Sequence, residues 1–316
     1  MKRLMLAFLV FIVSTYTIYQ TPLRLAQEPA QQQQQQEDPF SKEALLKDIL
    51  KQTAEYCEKI KTVALEYVCV EDVADKFYRY KVSTARSVVG DNTAAFPTSA
   101  QTEGHSFSVS EFADRKSLTL KNSKKTTYKY DYQLIKKGGR FEEKRILLEE
   151  NKRKKNEKNA QLKTRFKASN LIFGPVGFLS KYWQRYFDYE IVGMEMVNDV
   201  QTIVVKATPT EANKDNRNFA KIWVDVLDFS ILQIEWEPQS IEGFESKIKE
   251  SEVGDLKTNI VWTVTYAVAK NGVRFPSSQA VKEVYIGLGG EIFPIEEISF
   301  DYNNYKFFVV ETEIKH

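Results

Sequence analysis

The first regular pattern along the chain has the period of an α-helix. Its apolar or small positions recur at spacings of three or four, and they are Leu46, Ile49, Thr53, Cys57 and Ile60. This spacing places them on one face of an amphipathic helix whose opposite face is charged. The pattern predicts a long helix over 42–61, with Asp38 or Ser41 as its N-terminal cap.

From Val63 the period changes to two, which is typical of half-buried strands. The alternation is clearest over 128–134, where aromatic and polar positions alternate, and 141–149 returns beside it. Further strands are predicted near 188–196, 200–208, 219–226, 230–237, 258–269, 273–286, 295–302 and 306–315. Because crossover helices are missing between them, we predict an α+β protein with an antiparallel sheet of about eleven strands.

Two segments interrupt this pattern. Residues 86–125 are rich in Ser, Thr, Ala and Asn, which indicates a polar insertion or a long hairpin at the edge of the fold. Residues 171–187 form the most aromatic stretch and contain Gly174-Pro175. We expect a loop there, followed by a short helix over 178–187 that packs on the sheet as core or as the lid of a cavity.

The N-terminus has the features of an export signal. Lys2 and Arg3 precede an apolar run over 4–13, which is too short to span a membrane as a helix. We therefore expect a signal peptide at 1–26 and a periplasmic protein, with an uncleaved signal anchor as the alternative. Six consecutive glutamines indicate a solvated linker over 27–40, so that a single domain occupies 41–316.

The composition limits the classes of function. With 16 Tyr and 20 Phe, the chain can bury a large aromatic core. Its two histidines are His105 and His316, and it lacks the motifs of common hydrolases, zinc proteases and phosphate-binding loops. We therefore predict that the protein is not an enzyme and uses neither a metal nor a cofactor.

The two cysteines lie on either side of the junction between the predicted helix and the first strand. If the helix packs on the sheet, Cys57 and Cys69 come within reach of each other. In an exported protein we expect this pair to form a disulfide. Two buried free thiols are the alternative.

The charges of the chain are nearly balanced, which argues against a nucleic-acid-binding protein. One segment departs from this balance, because 152–167 holds eight basic residues and one acidic residue. A solvated hairpin end or loop is the simplest interpretation. The alternative is peripheral contact with an anionic membrane through Lys152, Arg153, Lys154 and Lys155.

The order of these elements resembles that of the periplasmic lipoprotein carriers, the LolA/LolB-like fold family. Residues 190–209 look like paired strands of that family, 221–225 with 229–234 look like its next hairpin, and 302–308 like its closing strand. The resemblance implies a strongly curved antiparallel sheet, an incomplete β-barrel around a hydrophobic cavity, with the long N-terminal helix and a second short helix packed on it.

The resemblance also implies a non-catalytic carrier or binding protein for an acylated ligand, either a lipid or a lipoprotein. Apolar surface alone holds an acyl chain with about 0.8 kcal/mol per buried methylene. The candidate residues of the cavity wall are Tyr128, Tyr130, Tyr132, Phe178, Tyr182, Trp183, Trp262 and Tyr266. The alternative is an envelope module that binds a protein partner on the same scaffold, with a filled interior and an exposed apolar patch.

Overall fold

A computed structural model describes residues 39–63, 66–85, 115–167, 169–213, 218–241, 256–287 and 289–308. The predicted signal peptide, most of the predicted linker and both histidines lie outside these ranges. Within them, none of the helices combines the length and the apolar character needed to cross a membrane.

The described residues contain three α-helices, which are α1 (Pro39–Val63), α2 (Gly174–Leu179) and α3 (Lys181–Gln184). The long N-terminal helix is thus confirmed, and Ile49, Thr53, Cys57 and Ile60 of its predicted stripe are buried. The second predicted helix is corrected to two shorter ones. Gly174-Pro175 starts α2, because proline is well tolerated in the first turn of a helix, and extended backbone at Ser180 separates α2 from α3.

The strands of the described chain are β1 (Glu66–Ala85), β2 (Arg115–Lys137), β3 (Arg140–Glu150), β4 (Arg153–Lys158), β5 (Phe187–Val197), β6 (Val200–Pro209), β7 (Ala220–Asp225), β8 (Ile231–Trp236), β9 (Lys257–Thr265), β10 (Val268–Lys270), β11 (Val273–Phe275), β12 (Ser278–Ile286) and β13 (Ile292–Phe308). Eleven of them form one sheet in the order β4-β3-β2-β1-β13-β12-β9-β8-β7-β6-β5. Every pair in this sheet is antiparallel. Because β4 and β5 lie at opposite edges, the sheet does not close into a barrel. The predicted α+β fold with an open antiparallel sheet of about eleven strands is confirmed.

Several strand boundaries differ from the prediction. The first strand, predicted from Val63, begins at Glu66, because Val63 is the last residue of α1. The last two predicted strands are one strand, β13, because a bulge at Asn304, whose φ is 55°, lets the chain bend and continue. The strand predicted over 258–269 ends at Thr265, and the one predicted over 273–286 is divided into β11 and β12. β10 and β11, which lie between β9 and β12 in the sequence, form a separate hairpin. Its turn is Asn271-Gly272, with φ values of 52° and 71°, and Asn-Gly favours such a turn because both residues tolerate positive φ.

Part of the predicted polar insertion is a strand. β2 begins at Arg115, and it pairs with β1 as far as Ala85. This extension agrees with the long hairpin considered for 86–125, whose middle residues, 86–114, lie outside the described ranges.

The helix α1 packs on one face of the sheet, which is called the inner face below. Its buried stripe joins a core cluster that also contains Tyr67, Tyr130 and Val205 from three different strands. Two contacts fix the helix against neighbouring elements. Tyr56 Oη accepts a hydrogen bond of 3.0 Å from the Arg274 amide of β11, and the Leu50 carbonyl accepts one of 2.6 Å from the Gln184 side chain at the end of α3.

The disulfide predicted between Cys57 and Cys69 is not formed, because both cysteines are free, buried thiols. Cys57 faces α2, where its Sγ lies 3.5 Å from the Pro175 carbonyl oxygen. Cys69 instead lies on β1, opposite Tyr132 in the pairing of β1 with β2. Burial raises the pKa of Cys57 to about 12, and burial also raises the pKa of Cys69.

We therefore expect neither cysteine to react with an aromatic disulfide reagent in the native protein at neutral pH, because the thiolate is the reactive species. After unfolding in denaturant without reductant, both thiols should react. A disulfide would leave the unfolded protein without titratable thiols, so this measurement distinguishes the two states directly.

Candidate functional site

The predicted wall residues differ in how far they are buried. Tyr130, Tyr132, Phe178 and Tyr266 are buried, Tyr128, Trp183 and Trp262 are partly buried, and Tyr182 is exposed. Tyr182 lies on the surface of α3, where the Arg185 guanidinium is 4.3 Å from its ring centroid. The other candidates lie in the core or pack against it. The structure therefore places most of the predicted wall inside the fold and Tyr182 outside it.

A segment of the chain covers the inner face after β4. This crossing segment, residues 160–167 and 169–173, begins where the Ala160 amide donates a 2.9 Å hydrogen bond to the Arg145 carbonyl of β3. Further along, the Lys163 amide donates to Tyr130 Oη at 3.4 Å. Near its end, Tyr266 Oη donates a 2.9 Å bond to the Leu171 carbonyl. The segment thus runs from the β3–β4 side of the sheet to the β9 side.

The middle of the crossing segment is held by an exposed arginine. The Arg165 guanidinium forms ion pairs with Glu296 of β13, at 2.6 Å, and with Glu283 of β12. The arginine side chain is 43% exposed, whereas the two glutamate side chains are 5% and 9% exposed. Water therefore reaches one side of this contact, while its carboxylates lie in the sheet face below.

Phe166 lies next to Arg165 on the crossing segment and covers an aromatic pair. The centroid of its ring is 5.1 Å from that of Trp262 on β9. Trp262 in turn stacks on Trp236 of β8, with ring centroids 3.9 Å apart and an interplanar angle of 15°. The two stacked indoles, Trp236 and Trp262, form an aromatic floor on the sheet, and Phe166 of the crossing segment covers it.

Three polar atoms beside this floor have no hydrogen-bond partner within the described chain. They are the indole nitrogen of Trp262 and both amide atoms of Gln279, whose side chain is buried at 1% exposure. Val264 pairs with Gln279, and Trp262 pairs with Val281, so Gln279 and Trp262 are diagonal neighbours on one face. Such neighbours are about 7–8 Å apart, within reach of one small polar group.

Unpartnered buried amides are uncommon and need an explanation. Burying a donor or acceptor without a partner costs about 1–3 kcal/mol, and most buried polar groups in folded proteins are paired. Here the orphan set combines donors, the Trp262 N–H and the Gln279 NH₂, with one acceptor, the Gln279 carbonyl oxygen. A ligand that offers both a carbonyl oxygen and an N–H matches this set.

A second polar group on the inner face is fully paired. Arg145 of β3 donates two hydrogen bonds to Glu71 of β1, from Nε at 2.6 Å and from Nη2 at 3.1 Å. The Glu71 side chain is completely buried, and the Arg145 side chain is 11% exposed. Tyr302 Oη donates a 3.1 Å bond to Glu71, and Tyr132 Oη donates a 2.6 Å bond to Glu143. This network locks β1, β2, β3 and β13 together.

The electrostatics of this network follow from burial. Burial alone lowers the pKa of Arg145, but the hydrogen bonds and the charge of Glu71 outweigh this effect and raise it above its ordinary value. Burial raises the pKa values of Tyr132 and Tyr302 well above the usual range for tyrosine. Both phenols therefore remain protonated donors at neutral pH. Because the polar groups of this network form hydrogen bonds with one another, we assign the network a structural role.

The basic segment of the sequence is split between an edge strand and the crossing segment. Arg153, Lys154, Lys155 and Lys158 lie on β4, all of whose residues are exposed. Lysines on an edge strand discourage pairing with another chain. Lys163 instead bridges Glu150 and Glu157. No cluster of three His, Cys, Asp or Glu side chains able to hold a metal occurs among the residues that the structure describes.

No protein-family model and no curated protein sequence matches this chain. Among solved structures, a LolA superfamily protein from Nitrosomonas europaea is 11% identical, with a TM-score of 0.29, over 83% of this chain and 94% of that one. A domain described as an outer membrane lipoprotein-sorting protein, from Vibrio parahaemolyticus, is 9% identical, with a TM-score of 0.33, over 84% and 95%. The MucA/MucB complex of Pseudomonas aeruginosa contains a chain that is 8% identical, with a TM-score of 0.22, over 83% and 100%.

Two of these structures carry the name of the family that the sequence resembles. Superpositions this loose carry no information about ligand or partner.

Of the four residues of the orphan pair and the buried ion pair, the sequence-based set of candidates contains Trp262 alone; Gln279, Glu71 and Arg145 are absent from it. Glu71 follows Tyr67 and Cys69 at a period of two, so its position on the buried face can be read from the alternation. Gln279 gives a weaker signal, because Lys282 and Glu283 follow it and the segment reads as an ordinary half-exposed strand.

Proposed function

We propose that the protein is a periplasmic, non-catalytic binding protein for an acyl chain attached through an amide. The single observation that carries this proposal is the orphan pair of Trp262 and Gln279 on an aromatic inner face. An amide carbonyl accepts from the Trp262 N–H or the Gln279 NH₂. The amide N–H of the same ligand donates to the Gln279 oxygen.

The aromatic floor supplies the apolar part of the site. The ring of Phe166 rests on Trp262, so an acyl chain binds here by replacing Phe166. Each buried methylene contributes about 0.8 kcal/mol, so a chain of several methylenes offsets the loss of this ring contact. The crossing segment is suited to such a movement, because the arginine that holds its centre is 43% exposed.

The test uses the purified full chain and displacement of a fluorescent fatty acid. An N-acyl glycine should compete more strongly than the methyl ester of the same acid, because only the amide offers both a donor and an acceptor. Gln279→Met should weaken binding of the N-acyl glycine by about tenfold, the equivalent of one lost buried hydrogen bond, and should weaken binding of the ester less, because the ester has no N–H to donate to Gln279. Phe166→Ala should strengthen the binding of both ligands, because it removes the ring that covers the aromatic floor.

Two further results decide the matter. Gln279→Met should also raise the free energy of unfolding without ligand, because it removes an unpartnered buried amide. If the variant is more stable but binds both ligands as the native protein does, the orphan amide belongs to the fold alone and the proposal is wrong. Failure of the native protein to bind any of the three acyl compounds would also contradict it.

A further inference from the structure

The two edges of the sheet are built differently. At one edge, β4 is six residues long and carries four basic residues. At the other, β5 is eleven residues long and contains neither lysine, arginine nor proline. Natural sheets usually protect long edges with such residues, because the free backbone donors and acceptors of an edge strand pair readily with another chain.

Three of the exposed residues of β5 are apolar. Val192, Met194 and Met196 are 46%, 57% and 64% exposed. Met194 pairs with Ile203 of β6, whose side chain belongs to the core cluster, so Met194 continues the inner face towards the solvent. Methionine suits surfaces that adapt to a partner, because its side chain is flexible and polarisable.

The acidic residues of β5 give this edge its charge. Asp188 and Glu190 lie at alternate positions and are exposed, so they project from the opposite face to the neighbouring Tyr189. Glu195 lies on this outer face as well, because it pairs with Thr202 of β6 and accepts a 2.9 Å hydrogen bond from the Trp223 indole. The edge strand is therefore apolar on its inner side and acidic on its outer side.

We propose that β5 is a docking edge for an extended segment of another protein in which apolar and basic residues alternate. The segment adds a strand beside β5, with its apolar residues next to Met194 and Met196 and its basic residues next to Glu190 and Glu195. A second copy of this chain fits poorly, because β5 beside β5 brings together two sets of acids without a base. This mode of recognition relies on backbone hydrogen bonds for affinity and on alternate side chains for specificity. It is independent of the acyl site.

The probe is a capped, fluorescein-labelled peptide of alternating Val and Lys, about nine residues long. Its binding to the full chain is followed by fluorescence anisotropy at physiological salt. Two control peptides separate the contribution of charge from that of backbone pairing. One alternates Val and Glu, and the other keeps Val and Lys but carries N-methyl groups on alternate backbone amides, which removes strand pairing without changing the charge.

We expect both control peptides to bind at least about tenfold more weakly than the probe. The substitution Met194→Lys in the protein should weaken the binding of the probe by a similar factor. The matched control is Leu120→Lys, which places the same charge at a residue of β2 that is 52% exposed. This second variant should bind the probe as the native protein does. Hydrogen exchange of the β5 amides should slow when the probe is bound.

Three results would overturn the proposal. Equal binding of the N-methylated peptide would show attraction by charge without strand addition. Equal losses in Met194→Lys and Leu120→Lys would place the contact elsewhere or make it non-specific. Absence of probe binding to the native chain would exclude a basic, apolar strand as the partner of this edge.

Discussion

Replacement of Arg145 by Met is expected to lower the free energy of unfolding by about 3–5 kcal/mol. The reason is the burial of its partner, since the Glu71 side chain has no exposed surface and takes two hydrogen bonds from this guanidinium. In the variant, Glu71 keeps only the bond from Tyr302. A buried carboxylate without its counter-charge is strongly unfavourable. Chemical denaturation monitored by circular dichroism measures the loss.

A matched control exists on the opposite face of the sheet. Lys129 of β2 and Asp72 of β1 form an ion pair of 3.3 Å whose side chains are 39% and 38% exposed. Lys129→Met should cost no more than about 1 kcal/mol, because solvent screens such a pair. Similar losses in the two variants would contradict the assignment of Arg145–Glu71 as a buried pair.

A second substitution separates the lost charge pair from lost packing. Glu71→Gln in the Arg145→Met protein removes the unpaired charge, so it should restore a large part of the stability. If the double variant is as unstable as Arg145→Met alone, the effect comes from the packing of the arginine stem. The charges of Arg145 and Glu71 would then contribute little to the free energy of unfolding.

Local patterns in the sequence predict several of the elements correctly. The spacing of Ile49, Thr53, Cys57 and Ile60 predicts α1, because a helix brings residues three and four apart to one face. The alternation over 128–134 predicts a strand with an aromatic inner side, and Tyr130 and Tyr132 are indeed buried. The turn at Asn271-Gly272 is equally local, since both residues tolerate positive φ.

The contacts that define the candidate site are not local. β1 lies between β2 and β13, and the last of these is more than two hundred residues away in the sequence. The basic segment also behaves differently along its length, because its first half is the exposed strand β4 and its second half crosses the inner face. Hydrophobicity does not distinguish these halves. Only the pairing register shows that Gln279 and Trp262 are neighbours.

These non-local contacts explain why the cavity that the sequence predicts is not left open at this place in the structure. An aromatic face was predicted to remain partly open beneath helices, but Phe166 of the crossing segment packs on Trp262 there. The aromatic surface is thus covered at this place by the chain itself. Binding in such a site couples the affinity for the ligand to the free energy of displacing the cover.

Trp236→Ala is expected to have a stability effect as large as that of Arg145→Met, with a loss of about 3–5 kcal/mol. Trp236 is 6% exposed, stacks on Trp262 at 3.9 Å, and lies with its ring centroid 6.1 Å from that of Phe178 in α2. The variant leaves a void in the aromatic floor that these neighbours fill only in part. Denaturation measures the loss, and the exciton signal of the stacked indoles in circular dichroism should disappear.

The control for this variant is Trp183→Ala, because Trp183 is partly buried on α3 and contacts Tyr182 and Tyr186 near the surface. Its loss should be clearly smaller, since less apolar surface returns to water. The same pair of variants reports on ligand binding. A void beside Trp262 gives an acyl chain room without displacement of Phe166, so Trp236→Ala should bind the fluorescent fatty acid more tightly than Trp183→Ala does. Equal uptake by the two variants would place the acyl chain away from the aromatic floor.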